Sequence, residues 1–251
     1  MMTNCISLTI LREAGKMSCV HSTSLESLMR TALRFGVLAV AVCAAGLRAD
    51  EKPKPADKPA DPPAGFTNLF DGKTLTGWKP TGKADAWAVD GGVIVCKSGG
   101  GGYLLTEKEY ANFEFRCEYR WEKKGGNSGV ALRTPEKGDP AYAGMEIQLI
   151  DDEGWPGKLA DYQHTGSIYD VLPAKEAKNK KIGEWNAVKI VCDGRKVTIV
   201  QNDVELVNAN LDDYKAKVEK HPGLKREKGF IGFQSYNIRV DFRNVWIKEL
   251  K

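Results

Sequence analysis

The residues best suited to chemistry lie between positions 127 and 169. In Met145-Glu-Ile-Gln-Leu-Ile-Asp151, Met145, Ile147 and Leu149 share one face, and Glu146 and Gln148 oppose them. In Asn127-Ser-Gly-Val-Ala-Leu-Arg133, Val130 and Leu132 face one way, while Asn127, Gly129, Ala131 and Arg133 face the other. Side chains alternate across a strand, so a hairpin turning over 134–144 sets Arg133, Glu146 and Gln148 near each other on one sheet surface. Gly129 and Ala131 keep that surface low enough for a ligand to approach the backbone. Asp151-Asp-Glu-Gly-Trp-Pro-Gly157 comes next as a loop rich in carboxylates, with Trp155 placed to be exposed and to stack. His164-Thr-Gly-Ser-Ile-Tyr169 then returns to the sheet, adding His164 and Tyr169. Loops beside a rigid sheet are where sites tend to sit. Arg, Glu, Gln, Asp, His, Tyr and Trp together suit the hydroxyl edges and apolar faces of a sugar; a phosphate site wants more basic residues or a glycine-rich helix start. The plainer alternative is a solvated sheet face with an ordinary cross-strand Arg–Glu pair.

The elements around these residues read as β. Residues 112–121 put Phe113, Phe115, Cys117, Tyr119 and Trp121 on one face and Glu114, Arg116, Glu118 and Arg120 on the other, a period-two pattern. Residues 187–192 and 196–200 flank Asp193-Gly194, a hairpin signal. Asn202-Asp203 turns the chain into 204–207, and 229–234 and 240–250 end it as strands. Short strands, frequent turns and 26 glycines predict an all-β sandwich or jelly roll. Only 206–227 looks locally helical, stopped by Pro222-Gly223. Trp78, Trp87, Trp121, Trp185 and Trp246 sit in strand contexts and are expected in the core; His221, in a charged stretch, is expected at the surface. Gly99–Gly102 lacks the helix and Lys-Ser/Thr of a phosphate loop and reads as a flexible turn.

Of 251 residues, 28% are charged and 42% hydrophobic, with a formal net charge of +4. Such a chain is neither largely disordered nor collagen-like. The excess is concentrated before residue 50: residues 50–251 hold 32 Lys/Arg and 31 Asp/Glu. That balance gives no electrostatic reason to seek nucleic acid or anionic lipid. Residues 35–47, FGVLAVAVCAAGL, are apolar or small and come after Arg30 and Arg34. The run is short for a membrane span, which needs about 20 residues. Basic flank, apolar centre and small-residue exit are the layout of an export signal. Read from Met29 the layout improves, so Met29 is the expected start. Cleavage is expected after Ala49, with export to the periplasm or outside and no integral membrane span in the mature chain. Lipidation at Cys43 is the weaker alternative, since Val40-Ala41-Val42 is a poor lipobox, and an uncleaved anchor is a third. Residues 50–64 hold five of the 11 prolines and read as a stiff, solvated tether. The folded domain is then 65–251. Its cysteines, Cys96, Cys117 and Cys192, allow at most one disulfide and read more simply as buried strand thiols.

Set in order, several segments become recognisable. Phe70–Trp78 (FDGKTLTGW), Gly126–Arg133 (GNSGVALR), Gly144–Asp152 (GMEIQLIDD), Thr165–Tyr169 (TGSIY), Gly183–Asn186 (GEWN) and Gly229–Leu250 together resemble the 3-keto-disaccharide hydrolase family. The resemblance implies a concanavalin A-like jelly roll, usually exported, that cleaves glycosides already oxidised at C3, so the partner is an oligosaccharide or glycoside. A C3 ketone acidifies the C2 proton; a base removes it, the enolate is stabilised, and the C1–O bond breaks by elimination, after which water can add. On residue chemistry, Glu146 or His164 is the base. Arg133 and Gln148 could hold the keto or enolate oxygen, and Asp151, Asp152 or Tyr169 could assist the leaving oxygen. Asn127, Trp155 and Gln234 complete the expected substrate contacts. A divalent metal ion polarising the ketone would draw on Glu146, Asp151 and His164. Where family members carry a histidine after the last-but-one strand, this chain reads Gln234-Ser-Tyr-Asn237, leaving His164 or Tyr236 to replace it or a domain that only binds carbohydrate. A third reading is a conventional glycosidase, with Glu146 and Asp151 about 5–9.5 Å apart across the scissile bond.

Overall fold

The computed structural model describes residues 59–251. The assignments at Met29, Cys43 and Ala49, and the tether before residue 59, lie outside the described residues. The strands run in chain order as β1 (Thr67–Asn68), β2 (Trp78–Pro80), β3 (Trp87–Asp90), β4 (Val93–Cys96), β5 (Tyr103–Thr106), β6 (Phe113–Trp121) and β7 (Asn127–Thr134). They continue as β8 (Met145–Ile150), β9 (Asn186–Asp193), β10 (Lys196–Gln201), β11 (Val204–Asn210), β12 (Phe230–Gln234) and β13 (Val240–Glu249). All strand pairs are antiparallel. They form two sheets. The larger runs β11-β10-β9-β6-β13-β4-β3, with β1 on β13; the smaller runs β2-β5-β12-β7-β8. This is an all-β sandwich of the concanavalin A-like, jelly-roll kind.

The alternation that predicted the strands also builds the core. In β6 every odd-numbered residue is buried and every even one is half-buried. Phe113, Phe115 and Tyr119 meet Leu104, Val130, Leu132, Ile147 and Phe233 from the other sheet in one cluster; Phe233 stacks on Phe242 at 4.0 Å between centroids. Asn202 and Asp203, both left-handed at φ 48° and 66°, close the two-residue turn between β10 and β11, a conformation that twisted hairpins require and Asn and Asp tolerate. Cys96, Cys117 and Cys192 are buried free thiols. No helix among the described residues is long and apolar enough to cross a membrane.

Three expectations are corrected. Residues 206–210 belong to β11, and the chain beyond them forms 3-10 turns at Leu211–Lys217 and Pro222–Lys225 rather than α-helix. Trp185 and Trp246 are only half-buried. Trp185 precedes β9, and the guanidinium groups of Arg120 and Arg243 pack on its ring, 4.4 and 4.2 Å from the ring centroid. Trp246 leaves the core because β13 carries an extra residue between Arg243 and Trp246, at Asn244 with φ 51°; such a bulge reverses the facing of everything beyond it. His221 is 1% exposed rather than superficial.

Candidate functional site

The site lies on the face of the five-stranded sheet turned away from the core. Leu104, Val130, Ile147, Leu149 and Phe233 point into the sandwich, so the pleat turns Tyr103, Glu146, Gln148 and Gln234 outward. The register brings them together, with Gln234 opposite Tyr103, Ala131 opposite Glu146, and Gly129 opposite Gln148. These residues line a cavity of about 370 Å³ together with Asn127, Asp139, Tyr142, Trp155, Lys158, Gln163, Tyr169 and Tyr236.

Glu146 forms part of the wall of this cavity. It is 2% exposed. Its Oε2 accepts the Tyr103 hydroxyl and, at 3.0 Å, the Gln234 Nε2. The same Nε2 donates to the Tyr103 oxygen at 3.0 Å. The carboxyl lies across Gly129, where a Cβ would stand 2.6 Å from Glu146 Cγ, Cδ and Oε1. Burial pushes Glu146 up to about 8; the Tyr103 hydrogen bond works against that rise and the Asp139 charge adds to it. Burial, and then the nearby Glu146 charge, also push the Tyr103 hydroxyl upward. A buried carboxyl with its proton affinity moved toward neutrality can exchange that proton with a ligand, and perturbed groups of this kind cluster at functional sites.

The neighbours of Glu146 are amides and aromatics. Gln148 Nε2 donates to Asn127 Oδ1 at 2.7 Å, and the Asn127 backbone is held by Asn237 Oδ1 at 3.0 Å. Tyr169 is set by the segment 165–169, which runs along the edge of β8. Gly166 N donates to Gln148 O at 2.8 Å, Gln148 N to Ser167 O at 2.9 Å, and Tyr169 N to Glu146 O at 2.9 Å. Trp155, Lys158 and Gln163 come from the loop after β8, and Tyr236, 52% exposed, from the loop after β12.

The structure therefore brings Asn127, Glu146, Gln148, Trp155, Tyr169 and Gln234 to one cavity, and it separates the rest. Arg133 does not face Glu146. It has φ 47° at a register shift where β7 carries one residue more than β12, so its side chain turns off the sheet face. It is fully buried and donates to Ala111 O at 2.8 and 3.0 Å and to Gly194 O at 2.8 Å. Asp151 organises its own turn: Oδ2 accepts Gly125 N at 2.9 Å and Oδ1 accepts Gly154 N at 3.1 Å. His164 Nδ1 pairs with Asp152 Oδ1 at 2.9 Å. Both line a second, acidic cavity of about 570 Å³ with Asp161 and Asn179. Thr165 explains the separation, because its hydroxyl locks to Ile150 O at 2.7 Å and fixes His164 beyond the edge of β8. Glu146, Asp151 and His164 thus do not converge as metal ligands, and among the described residues no three His, Cys, Asp or Glu side chains do.

Sequence reasoning missed Tyr103, Asp139, Tyr142, Lys158 and Gln163. The parity of Tyr103-Leu104, with Leu104 in the core, was available. Its partner Gln234 lies 131 residues away in sequence, and only strand order brings them together. Asp139, Tyr142, Lys158 and Gln163 sit in connections, where no period exists to assign a face.

The sequence model described as the 3-keto-alpha-glucoside-1,2-lyase-like domain matches residues 65–248. The chain belongs to this family. A relative from Bacteroides thetaiotaomicron named 3-keto-disaccharide hydrolase is 30% identical, covering 74% of this chain and 79% of that protein. Two crystal structures from Parabacteroides distasonis, each of a candidate glycosyl hydrolase, share the fold. One is 31% identical with a TM-score of 0.66, covering 74% of this chain and 94% of the other. The second is 27% identical with a TM-score of 0.64, covering 74% and 99%. The family's match spans the strands described above and contains all the residues of the Glu146 cavity.

Proposed function

We propose that this chain is a carbohydrate hydrolase-like enzyme that cleaves 3-keto-glycosides, with Glu146 as the base. The observation that carries the reading is the buried Glu146 carboxyl, held through one oxygen by Tyr103 and Gln234 at the wall of a polar cavity. Tyr103 and Gln234 fix Oε2, which leaves Oε1 to take the C2 proton. The electron pair from the C2–H bond delocalises onto the C3 oxygen as an enolate and then forms the C1–C2 double bond as the C1–O bond breaks. The leaving oxygen takes a proton from Tyr169, which alone of Asp151, Asp152 and Tyr169 lines the cavity. Water then adds to C1 as Tyr169 takes back a proton from it, and Glu146 returns its proton to C2, completing hydrolysis with both groups restored.

Lys158 takes the part first given to Arg133. It is the one Lys or Arg among the residues lining the cavity, and a cation there stabilises charge developing on the enolate oxygen. Asn127 and Gln148 present amides to sugar hydroxyls, and Trp155 and Tyr236 offer apolar faces. A conventional two-carboxylate glycosidase is the weaker reading, because Asp151 spends both oxygens on backbone N–H groups. A sugar-binding domain without chemistry has no need of a buried carboxyl with a raised proton affinity. The names of the relatives agree with a sugar substrate, and the basic flank, apolar run and small-residue exit in the sequence before Asp50 support export.

The test uses the mature chain and a 3-keto-glucoside with a chromogenic leaving group. Release is expected from the keto substrate and not from the plain glucoside, with a loss of about 10²–10⁴-fold in Glu146→Gln. Saturable sugar binding without release from either substrate would overturn the reading.

A further inference from the structure

Beyond the groups assigned to chemistry, one buried pair stands directly behind the cavity wall. His221 reaches across from the 3-10 turn region, and its Nε2 lies 3.0 Å from Asp170 Oδ2. Its ring stacks on Tyr142 at 4.8 Å between centroids and 22° between planes. Its Nδ1 is buried with no hydrogen-bond partner among the described residues. A histidine that served only to fill space would be replaced there by an apolar ring without an orphaned nitrogen.

Asp170 is equally constrained. It holds φ 57°, the left-handed conformation that Asp and Asn tolerate. Its carboxylate is bound by His221 and by Lys220. Burial opposes its ionisation, but the bonds from Lys220 and His221 outweigh that and hold it below the usual carboxylate range. Asp170 comes directly after Tyr169, whose N–H is bonded to the carbonyl of Glu146. Tyr169 in turn meets Tyr142 edge-on at 6.4 Å and Tyr162 at 6.5 Å. One histidine therefore backs Tyr142 directly and Tyr169 through Asp170, and both tyrosines line the cavity.

We infer that His221 and Asp170 are positioning residues that set Tyr142 and Tyr169 as the wall of a subsite for the leaving sugar. The inference rests on the 3-keto-glycoside reading, in which Tyr169 stands at the leaving oxygen. A pyranose presents apolar C–H faces and hydroxyl edges, and paired tyrosines offer rings and hydroxyls at fixed places. Holding the rings rigid removes an ordering cost from binding.

The test separates binding from turnover. In the Glu146→Gln background, calorimetry gives dissociation constants for a 3-keto-disaccharide and for the 3-keto methyl glucoside, which has no second ring. Adding His221→Gln or Asp170→Asn should weaken the disaccharide by about tenfold and the methyl glycoside by less than about twofold. Tyr142→Ala, which leaves His221 and Asp170 themselves unchanged but removes the ring stacked on His221, should act in the same sense, and Tyr142→Phe, which keeps the ring, less. Equal losses for both ligands, or no loss for the disaccharide, would overturn the inference. Should either buried-pair variant fail to fold, the Tyr142 pair decides alone. Turnover of the keto substrate by the unmutated enzyme reports on the proposed function separately, since these ratios need no catalysis.

Discussion

A carboxyl group that prefers to keep its proton in the folded protein leaves two signatures on pH. Glu146 has its affinity moved from the ordinary 4.5 to about 8 by burial. The base form therefore accumulates as pH rises, and kcat/KM on a keto substrate should climb toward a midpoint near pH 8. Stability runs the other way. Between 4.5 and about 8 the unfolded chain has lost the proton and the native chain keeps it, so stability falls with rising pH across that window. Glu146→Gln removes this term. Its melting temperature relative to the unmutated protein should be higher at pH 8.5 than at pH 5, as calorimetric scans at the two values would show. Tyr103 sharpens the test. Its hydrogen bond favours the ionised carboxyl, so Tyr103→Phe should move the rising limb of the pH–rate profile to more alkaline pH.

The strands place these groups, and their irregularities decide which groups arrive. Glu146 folds over Gly129 on the neighbouring strand. Gly129→Ala adds a methyl group that the strand backbone accepts, since φ there is not positive, but that the carboxyl cannot share space with. Activity on the keto substrate should fall by about 10²-fold or more while the cooperative unfolding transition survives. The bulge at Arg133 is the opposite case. It takes a residue that strict alternation assigns to the site and buries it against the carbonyls of Ala111 and Gly194. Arg133→Met should lower stability by about 2–4 kcal/mol in denaturant titration through those orphaned carbonyls, with kcat per folded molecule retained. This contrast marks how far the sequence is legible. The strands of Glu146, Gln148 and Asn127 follow from period two, and so do their faces. A bulge costs one residue and leaves no compositional mark, which is why alternation puts Arg133 and Trp246 on the wrong sides. His221 is hidden for a related reason: a charged neighbourhood says nothing of one ring packed beneath Tyr142. Tyr103 needs the order of strands in the sheet, which no local pattern carries.

For the molecule as a whole, strand order and chain order are at odds. The small sheet runs β2-β5-β12-β7-β8, and in the large one β13 lies between β6 and β4. The last two strands of the chain thus occupy interior places in both layers. Without β12 the strands bearing Tyr103 and Asn127 have no common neighbour, and Gln234 is missing from beside Glu146. A chain ending at Lys228 should therefore show no cooperative thermal transition and bind no sugar, which calorimetry on the truncated protein would check. The same arrangement sets a schedule for biogenesis. While the chain is being synthesised, the other strands of the small sheet emerge before β12 can join them, so much of the apolar surface waits for a partner. The wall of the Glu146 cavity is complete only once β12 has paired between β5 and β7.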